Sequence, residues 1–272
     1  MHRTQLLTGI FKHYLGPAPK SHKIFVLGTG RSGTHWLGYM IGAHPEVAAS
    51  VEEPPIFPWV TRMAMAPETE ELLYPKLVRR YRYEHAAVAP RHYLDKSHPN
   101  IWLAERLARS FPEALFVAVR RDAYGTVNSM LQHTGVMNWI HRWREHPLPN
   151  RFLGISPANA QAYAELPLEG KCAVRWKAHL LQLGHLESSL GSRLAVFDYD
   201  RLQVDTSLEL ERMGVFLKLT SAIPVPNVKR ASLERWRQEL SETQKEHITQ
   251  ALEAFPVYHA GLGVGGHFIQ ST

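Results

Sequence analysis

Two kinds of apolar pattern alternate along this chain. The first is the short unbroken run. "KIFVLG" (Lys23 to Gly28) and "ALFVAV" (Ala114 to Val119) are apolar on successive positions, as expected of strands buried on both faces of a parallel sheet. "RLAVFDY" (Arg193 to Tyr199) reads as another strand, "EVAASVEEPP" as one stopped by Pro54 and Pro55, and "HYLDKS" as a short one. The second pattern is the helical period. It runs through "THWLGYMIGAH", through Leu103, Leu107 and Phe111 behind a potential Asn100 cap, and through Ala123, Val127 and Met130 behind Asp122. A long helix is predicted over 171–190, stopped by Gly191, and another carries Leu210, Met213 and Leu217. "SETQ" (Ser241 to Gln244) is a capping box that opens a helix with Ile248, Leu252 and Phe255 on one face. Residues 57–92 read as helical or irregular, and 132–168, with Pro147, Pro149 and Pro157, as an irregular segment over a site.

Alternation of strand and helix predicts one α/β domain: a central, mainly parallel sheet flanked by helices. Its expected span is 23–256, between an N-terminal extension (1–22) and a flexible tail (257–272). In such sheets ligands gather at the carboxyl ends of the strands.

Composition narrows the chemistry. Among 272 residues Cys172 is the only cysteine; this excludes an intramolecular disulfide and a cysteine-rich zinc site, and suits a reducing, cytoplasmic setting. Sixteen histidines show no metal-binding spacing, so no metal is expected. A formal charge of +6 points to an anionic ligand. The basic residues are scattered apart from "VRRYRYEH" and "IHRWREH", and no nucleic-acid motif is present. No stretch approaches the roughly 20 apolar residues of a membrane span. The opening "MHRTQLLTGIFKHYLGPAPKSH" lacks the cleavage site of a signal peptide. It reads as a helix docked on the domain, with a weak membrane-surface anchor as the alternative.

"VLGTGRSGTHWL" (Val26 to Leu37) carries the strongest signal. Gly28, Gly30 and Gly33 have dinucleotide-turn spacing, and Glu52 and Glu53 lie where a ribose-binding acid would be sought. Against that reading, Arg31, Ser32, Thr34 and His35 are donors gathered for a compact anion, and His35 and Trp36 are bulky where a dinucleotide turn packs its helix. An ATP-type P-loop needs Lys then Ser or Thr after Gly33; Thr34 and His35 stand there instead.

"GTGRSGTHWL" instead resembles the phosphosulfate loop of the sulfotransferases that use 3′-phosphoadenosine 5′-phosphosulfate (PAPS), in particular the bacterial and tyrosylprotein-like branch on a P-loop-NTPase-like fold. The resemblance implies that Gly30, Arg31, Ser32, Gly33, Thr34 and His35 bind the 5′-phosphate, with backbone N–H groups at a helix N-terminus, and that Arg31 neutralises charge on the bridging oxygen. "FVAVRRDAYGTVNSM" matches the family's 3′-phosphate motif, with Arg121 after a strand and Ser129 eight positions on. Tyr199 in "FDYDRL" matches a tyrosine near the adenine, and Lys229, Arg230 and Ser232 in "NVKRASLERWRQELS" fall in the segment that closes over the donor. The similarity covers about 23–255. PAPS is then the co-substrate, 3′,5′-bisphosphoadenosine (PAP) the product, and no metal takes part.

Sulfuryl transfer to a hydroxyl needs a proton acceptor. Three groups compete. Glu52 and Glu53 lie where tyrosylprotein-type enzymes place a catalytic glutamate. His98 in "KSHP" resembles the histidine of the cytosolic enzymes, and Asp95 precedes Lys96 as a glutamate does in heparan-type enzymes. Lys96 stabilises charge under each of these. The acceptor stays open among a hydroxyl-bearing small molecule, a glycan, a lipid and a peptide, with amines as a further option. The rival readings are a Rossmann-type NAD(P)-dependent oxidoreductase and a non-catalytic anion-binding protein on the same fold.

Overall fold

Five strands form one fully parallel sheet: β1 (Lys23–Gly28), β2 (Val47–Val51), β3 (His92–Lys96), β4 (Leu115–Arg120) and β5 (Leu194–Asp198), in the order β2-β3-β1-β4-β5. The computed structural model describes residues 3–225, 234–259 and 263–264. Each strand of the sheet interior sends alternate side chains to opposite faces. Phe25 and Leu27 of β1 enter one core, with Tyr93, Phe116 and Ala118; Ile24 and Val26 enter the other, with Leu94, Val117 and Val119. Both faces are apolar because helices cover both, which is why these strands read as unbroken runs.

The larger face packs against α3 (Ile56–Met65), α4 (Glu70–Val88), α5 (Ala104–Ser110), α6 (Ala123–Leu131), α7 (Thr134–His141), α9 (Leu168–Leu190) and α13 (Glu242–Ala254). The smaller face is covered by α2 (Thr34–Gly42), α10 (Tyr199–Val204) and α11 (Thr206–Leu217). A helix at the N-terminus, α1 (Arg3–Leu15), docks on α4: Tyr14 and Tyr83 share a hydrogen bond of 3.0 Å between their hydroxyls. Among the described residues no helix is long and apolar enough to cross a membrane. Cys172 lies buried on α9, and burial pushes its thiol up to about 12.

Strand order locates the ligand site. From β1 the chain crosses to one side of the sheet, and from β4 to the other. The crevice between the carboxyl ends of β1 and β4 is therefore the switch point where such folds bind ligands. The same order removes the dinucleotide reading. That fingerprint places its acid at the end of the strand beside β1, whereas here β3 separates β1 from β2, so Glu52 and Glu53 are one strand too far away.

Several local expectations change. Asn100 caps no helix; it is buried in a 3₁₀ turn (His98–Trp102), where its amide donates to Asp95 at 2.8 Å, and α5 starts at Ala104. Residues 132–168 are less irregular than their prolines imply, holding α7, a 3₁₀ turn (Trp143–Glu145) and α8 (Ala160–Glu165). The long helix α9 starts at Leu168, just after Pro167, which suits a helix start. The tail begins packed: Val257 and His259 are buried, and His259 shares a hydrogen bond with Gln182 of α9 at 2.9 Å. His259 belongs to β6 (Tyr258–His259), which pairs antiparallel with β7 (Gly263–Val264).

Candidate active site

The Gly-rich loop leaves β1 and feeds α2. Arg31 has φ +80° and Gly33 φ +98°, so the chain makes two left-handed steps in this short loop. At Gly33 a side chain is excluded twice, by its backbone and because a Cβ would lie 2.4 Å from the ring of Tyr199. Ser32 is spent on the loop itself: its hydroxyl and its backbone N–H both donate to the Thr29 carbonyl, at 2.6 and 3.1 Å. Thr34 differs, because its hydroxyl is buried with no hydrogen-bond partner at the first position of α2. A buried donor left unmade is costly, and here it sits where the loop would meet an anion.

β4 supplies the second half. Asp122 caps α6 by accepting from the Gly125 N–H at 2.7 Å. Arg121 lies with its guanidinium over the ring of Tyr199 at 4.4 Å. Arg31 reaches across from the loop and donates to the Ser129 hydroxyl at 3.2 Å. The two motifs, ninety residues apart in sequence, thus meet in one cleft of about 290 Å³. Arg31, Thr34, His35, Arg121, Ser129 and Arg235 line it, and among the described residues no carboxylate does. Its aromatic walls are Trp36, Tyr199 and Trp236.

Trp236 and Arg235 belong to α12 (Arg235–Glu239), inside the segment expected to close over the donor, although neither residue was singled out there. Glu239 fastens α12 to α6 by accepting from Asn128 at 2.6 Å and Gln132 at 2.9 Å, and Trp236 stacks on Tyr124 at 4.9 Å. An aromatic beside Arg in "LERWRQE" was the available signal. Lys229, Arg230 and Ser232 lie outside the described residues.

Beside the cleft, at the ends of β2 and β3, three groups converge on one carboxylate. Lys96, wholly buried, donates to Glu52 Oε1 and, at 2.9 Å, to His35 Nδ1. His98 Nδ1 meets Glu52 Oε1 at 2.9 Å, and His35 Nε2 lies 3.3 Å from Oε2. Burial alone would raise the Glu52 pKa, yet the hydrogen bonds from His35 and His98 and the charge of Lys96 outweigh it and hold that carboxyl well below the usual range. Burial, joined by the charges of Lys96 and Arg175, pushes His98 down to about 3, so its ring is neutral. Glu52 itself has φ +53°, a second strained residue at this site.

The remaining candidates lie elsewhere. Glu53 is exposed, in a different groove over β2 and α4. Asp95 points into the core, where Tyr81 and Asn100 occupy one oxygen and Ser97 the other; burial pushes its carboxyl up to about 7. Arg175 of α9, which the sequence did not flag, is wholly buried with Nη2 3.5 Å from His98 Nε2.

Known proteins agree with this geometry. The family model described as "Sulfotransferase family" matches residues 23–222. Among solved structures, the sulfotransferase domain from the curacin biosynthetic pathway is similar at TM-score 0.56 and 15% identity, over 85% of this chain and 98% of that one. The sulfotransferase domain of the Synechococcus PCC 7002 olefin synthase follows at TM-score 0.51 and 18% identity, over 88% and 97%. A sulfotransferase of Mycobacterium avium gives TM-score 0.51 and 12% identity, over 95% and 83%. No curated protein matches the chain. With a family match over residues 23–222, which take in the glycine-rich loop, the Arg121–Ser129 segment and the five-stranded sheet, this chain belongs to the sulfotransferase family.

Proposed function

We propose that the protein transfers a sulfuryl group from PAPS to a hydroxyl acceptor. One observation carries the reading: the glycine-rich loop and the Arg121–Ser129 motif line a single acid-free cleft, and Glu52, Lys96 and His98 converge beside it. The residues present fit such a donor. Arg121 and Ser129 suit its 3′-phosphate, the unpartnered Thr34 hydroxyl and the start of α2 suit its 5′-phosphate, and Trp36, Tyr199 and Trp236 suit its purine. PAPS brings the sulfuryl group and leaves as PAP.

Glu52 serves as proton acceptor. Its Oε1 is occupied by Lys96 and His98, while among the described residues Oε2 meets His35, whose side chain is 45% exposed. A carboxylate held this low is a weak base in the empty site. The charge of Lys96, which helps to depress it, is one that an anionic donor offsets, so its proton affinity rises when the site is filled. Lys96 and Arg31 hold negative charge as it develops on the leaving oxygen, and His98 positions Glu52 through Nδ1.

Calorimetry with PAP, adenosine 5′-monophosphate and NADH tests this. PAP binds; Arg121→Ala weakens PAP by roughly 10–100-fold, the worth of a charge-assisted phosphate contact, and leaves the monophosphate unaffected. Arg31→Ala weakens both. Preference for NADH, or no nucleotide binding by folded protein, overturns the reading.

A further inference from the structure

Arg175 is the largest fully buried side chain among the described residues, and no carboxylate reaches it there. Its hydrogen-bond partners are poor: Met130 Sδ at 3.7 Å and His98 Nε2 at 3.5 Å, with Nε unpartnered. The guanidinium otherwise lies against rings, 4.5 Å from the centre of Phe152 and 5.8 Å from that of Trp139. Other titratable groups that act on it are Cys172 and Tyr163, both buried and neutral. Burial lowers its pKa to about 10, which leaves it cationic at neutral pH. A buried charge this poorly paired costs a fold heavily, so a guanidinium whose Nη2 borders His98 calls for an anion.

The geometry says which side that anion comes from. Glu52 meets one edge of the His98 ring, at Nδ1, and Arg175 meets the other, at Nε2. Arg175 is thus set back from the proton acceptor by the width of an imidazole. It packs against Trp139 of α7 and Phe152, and its Nη2 also borders the glycine-rich loop, 3.3 Å from where a Cβ at Gly30 would stand, while the lining of the nucleotide cleft does not include it. Phe57 and Trp139 are the partly exposed rings against His98, on the solvent side of this pair.

We propose that Arg175 is the anion-binding residue of the acceptor subsite: the acceptor carries, beside the hydroxyl that is attacked, a carboxylate or an equivalent oxyanion that pairs with this guanidinium between aromatic walls. A planar fork with five donors matches a carboxylate edge. The inference rests on the transfer reading for the position of the attacked hydroxyl. The same oxyanion chemistry exists in the sulfuryl group being moved, so the test separates the two sources.

The probes are 4-hydroxyphenylacetate and its methyl ester, titrated by calorimetry into the wild type, Arg175→Met and Arg175→Lys, with and without saturating PAP. The acid is expected to bind the wild type roughly 10–100-fold tighter than the ester, the worth of a charge-assisted pair. That preference disappears in Arg175→Met and survives partly in Arg175→Lys. Arg175→Met also melts at or above the wild-type temperature, because an unpaired buried charge is gone. Equal binding of acid and ester, no binding of either, a preference that outlives Arg175→Met, or a lowered melting temperature overturns the proposal. So does a loss of PAPS turnover in Arg175→Met with the acid–ester preference unchanged, which assigns Arg175 to the sulfuryl oxygens. Failure of PAP to bind, with the acid still preferred through Arg175, rejects the transfer reading and keeps the anion subsite.

Discussion

Glu52 has two oxygens in different company. Lys96 and His98 hold one, and the other faces an exposed histidine. Replacing Glu52 with Gln keeps an oxygen for Lys96 and His98 but removes the proton acceptor. Turnover of radiolabelled PAPS is expected to fall by about 10²–10⁴-fold, while PAP affinity, measured by calorimetry, stays close to wild type. Glu53→Gln leaves both unchanged. His98→Asn lowers turnover less than Glu52→Gln, since it loosens the carboxylate without deleting it. The neighbouring pair shows where sequence reading stops. Both glutamates follow the same strand, and alternation along a strand ends where the strand does. A left-handed backbone at Glu52 turns its side chain toward Lys96, and no spacing rule announces that step. The glycine-rich loop and the Arg121–Ser129 pair could be singled out because each rests on local pattern: a loop between a strand and a helix, and an Arg after a strand with a Ser about two helical turns on. Arg175 was not, since an Arg in a helical pattern reads as solvent-facing and only the fold buries it.

Among the elements, α1 depends on one close approach. A Cβ at Gly9 would lie 2.1 Å from the Tyr83 carbonyl oxygen of α4, so Gly9→Ala forces the helices apart. The expected result is faster tryptic cleavage at Lys20, in the segment between α1 and β1, with PAP binding retained because the cleft contains no α1 residue. If cleavage does not change, α1 is held by its other contacts. The strands and the helices with a clear apolar face were legible, including the Ser241 capping box, which forms as predicted. Asn100 misled because an Asn ahead of an apolar period signals a cap whether or not its amide is used inside the core. The prolines at 147, 149 and 157 masked α7 and α8 by composition alone.

At the scale of the molecule, buried titratable groups set the response to acid. Burial pushes His85 and His98 down to about 3 and His179 well below its usual value. Below about pH 6.5 the unfolded chain takes up protons on these histidines that the fold refuses, so stability is lost as pH falls. Asp95, pushed up to about 7, works the other way, because the fold keeps a proton there that the unfolded chain releases. The histidines outnumber it. Stability is expected to fall by roughly 1–3 kcal/mol per pH unit between about pH 6.5 and 5, read as a lower urea midpoint at pH 5 than at pH 7. A flat midpoint over that range rejects the buried-neutral assignment. Strand order, too, exists only at this scale. Alternation announced a parallel sheet, but which strand lies beside β1 depends on crossovers that no local pattern encodes, and it was that order which separated this fold from the dinucleotide folds.

The acid-free cleft has a consequence for the life of the protein in a cell. Arg31, Arg121 and Arg235 line it together, with Glu239 paired to Arg235 at 2.7 Å and Asp122 lying 3.9 Å from Arg121, so an anion that fills the cleft adds to the electrostatics of the fold. Whatever binds only the native state raises its stability with the logarithm of its concentration. Quality-control proteases sample the unfolded fraction, and a shift of one or two kcal/mol changes abundance several-fold. On the proposed function, copies made while the donor is scarce are expected to be cleared first, and the amount of protein to follow the donor's supply.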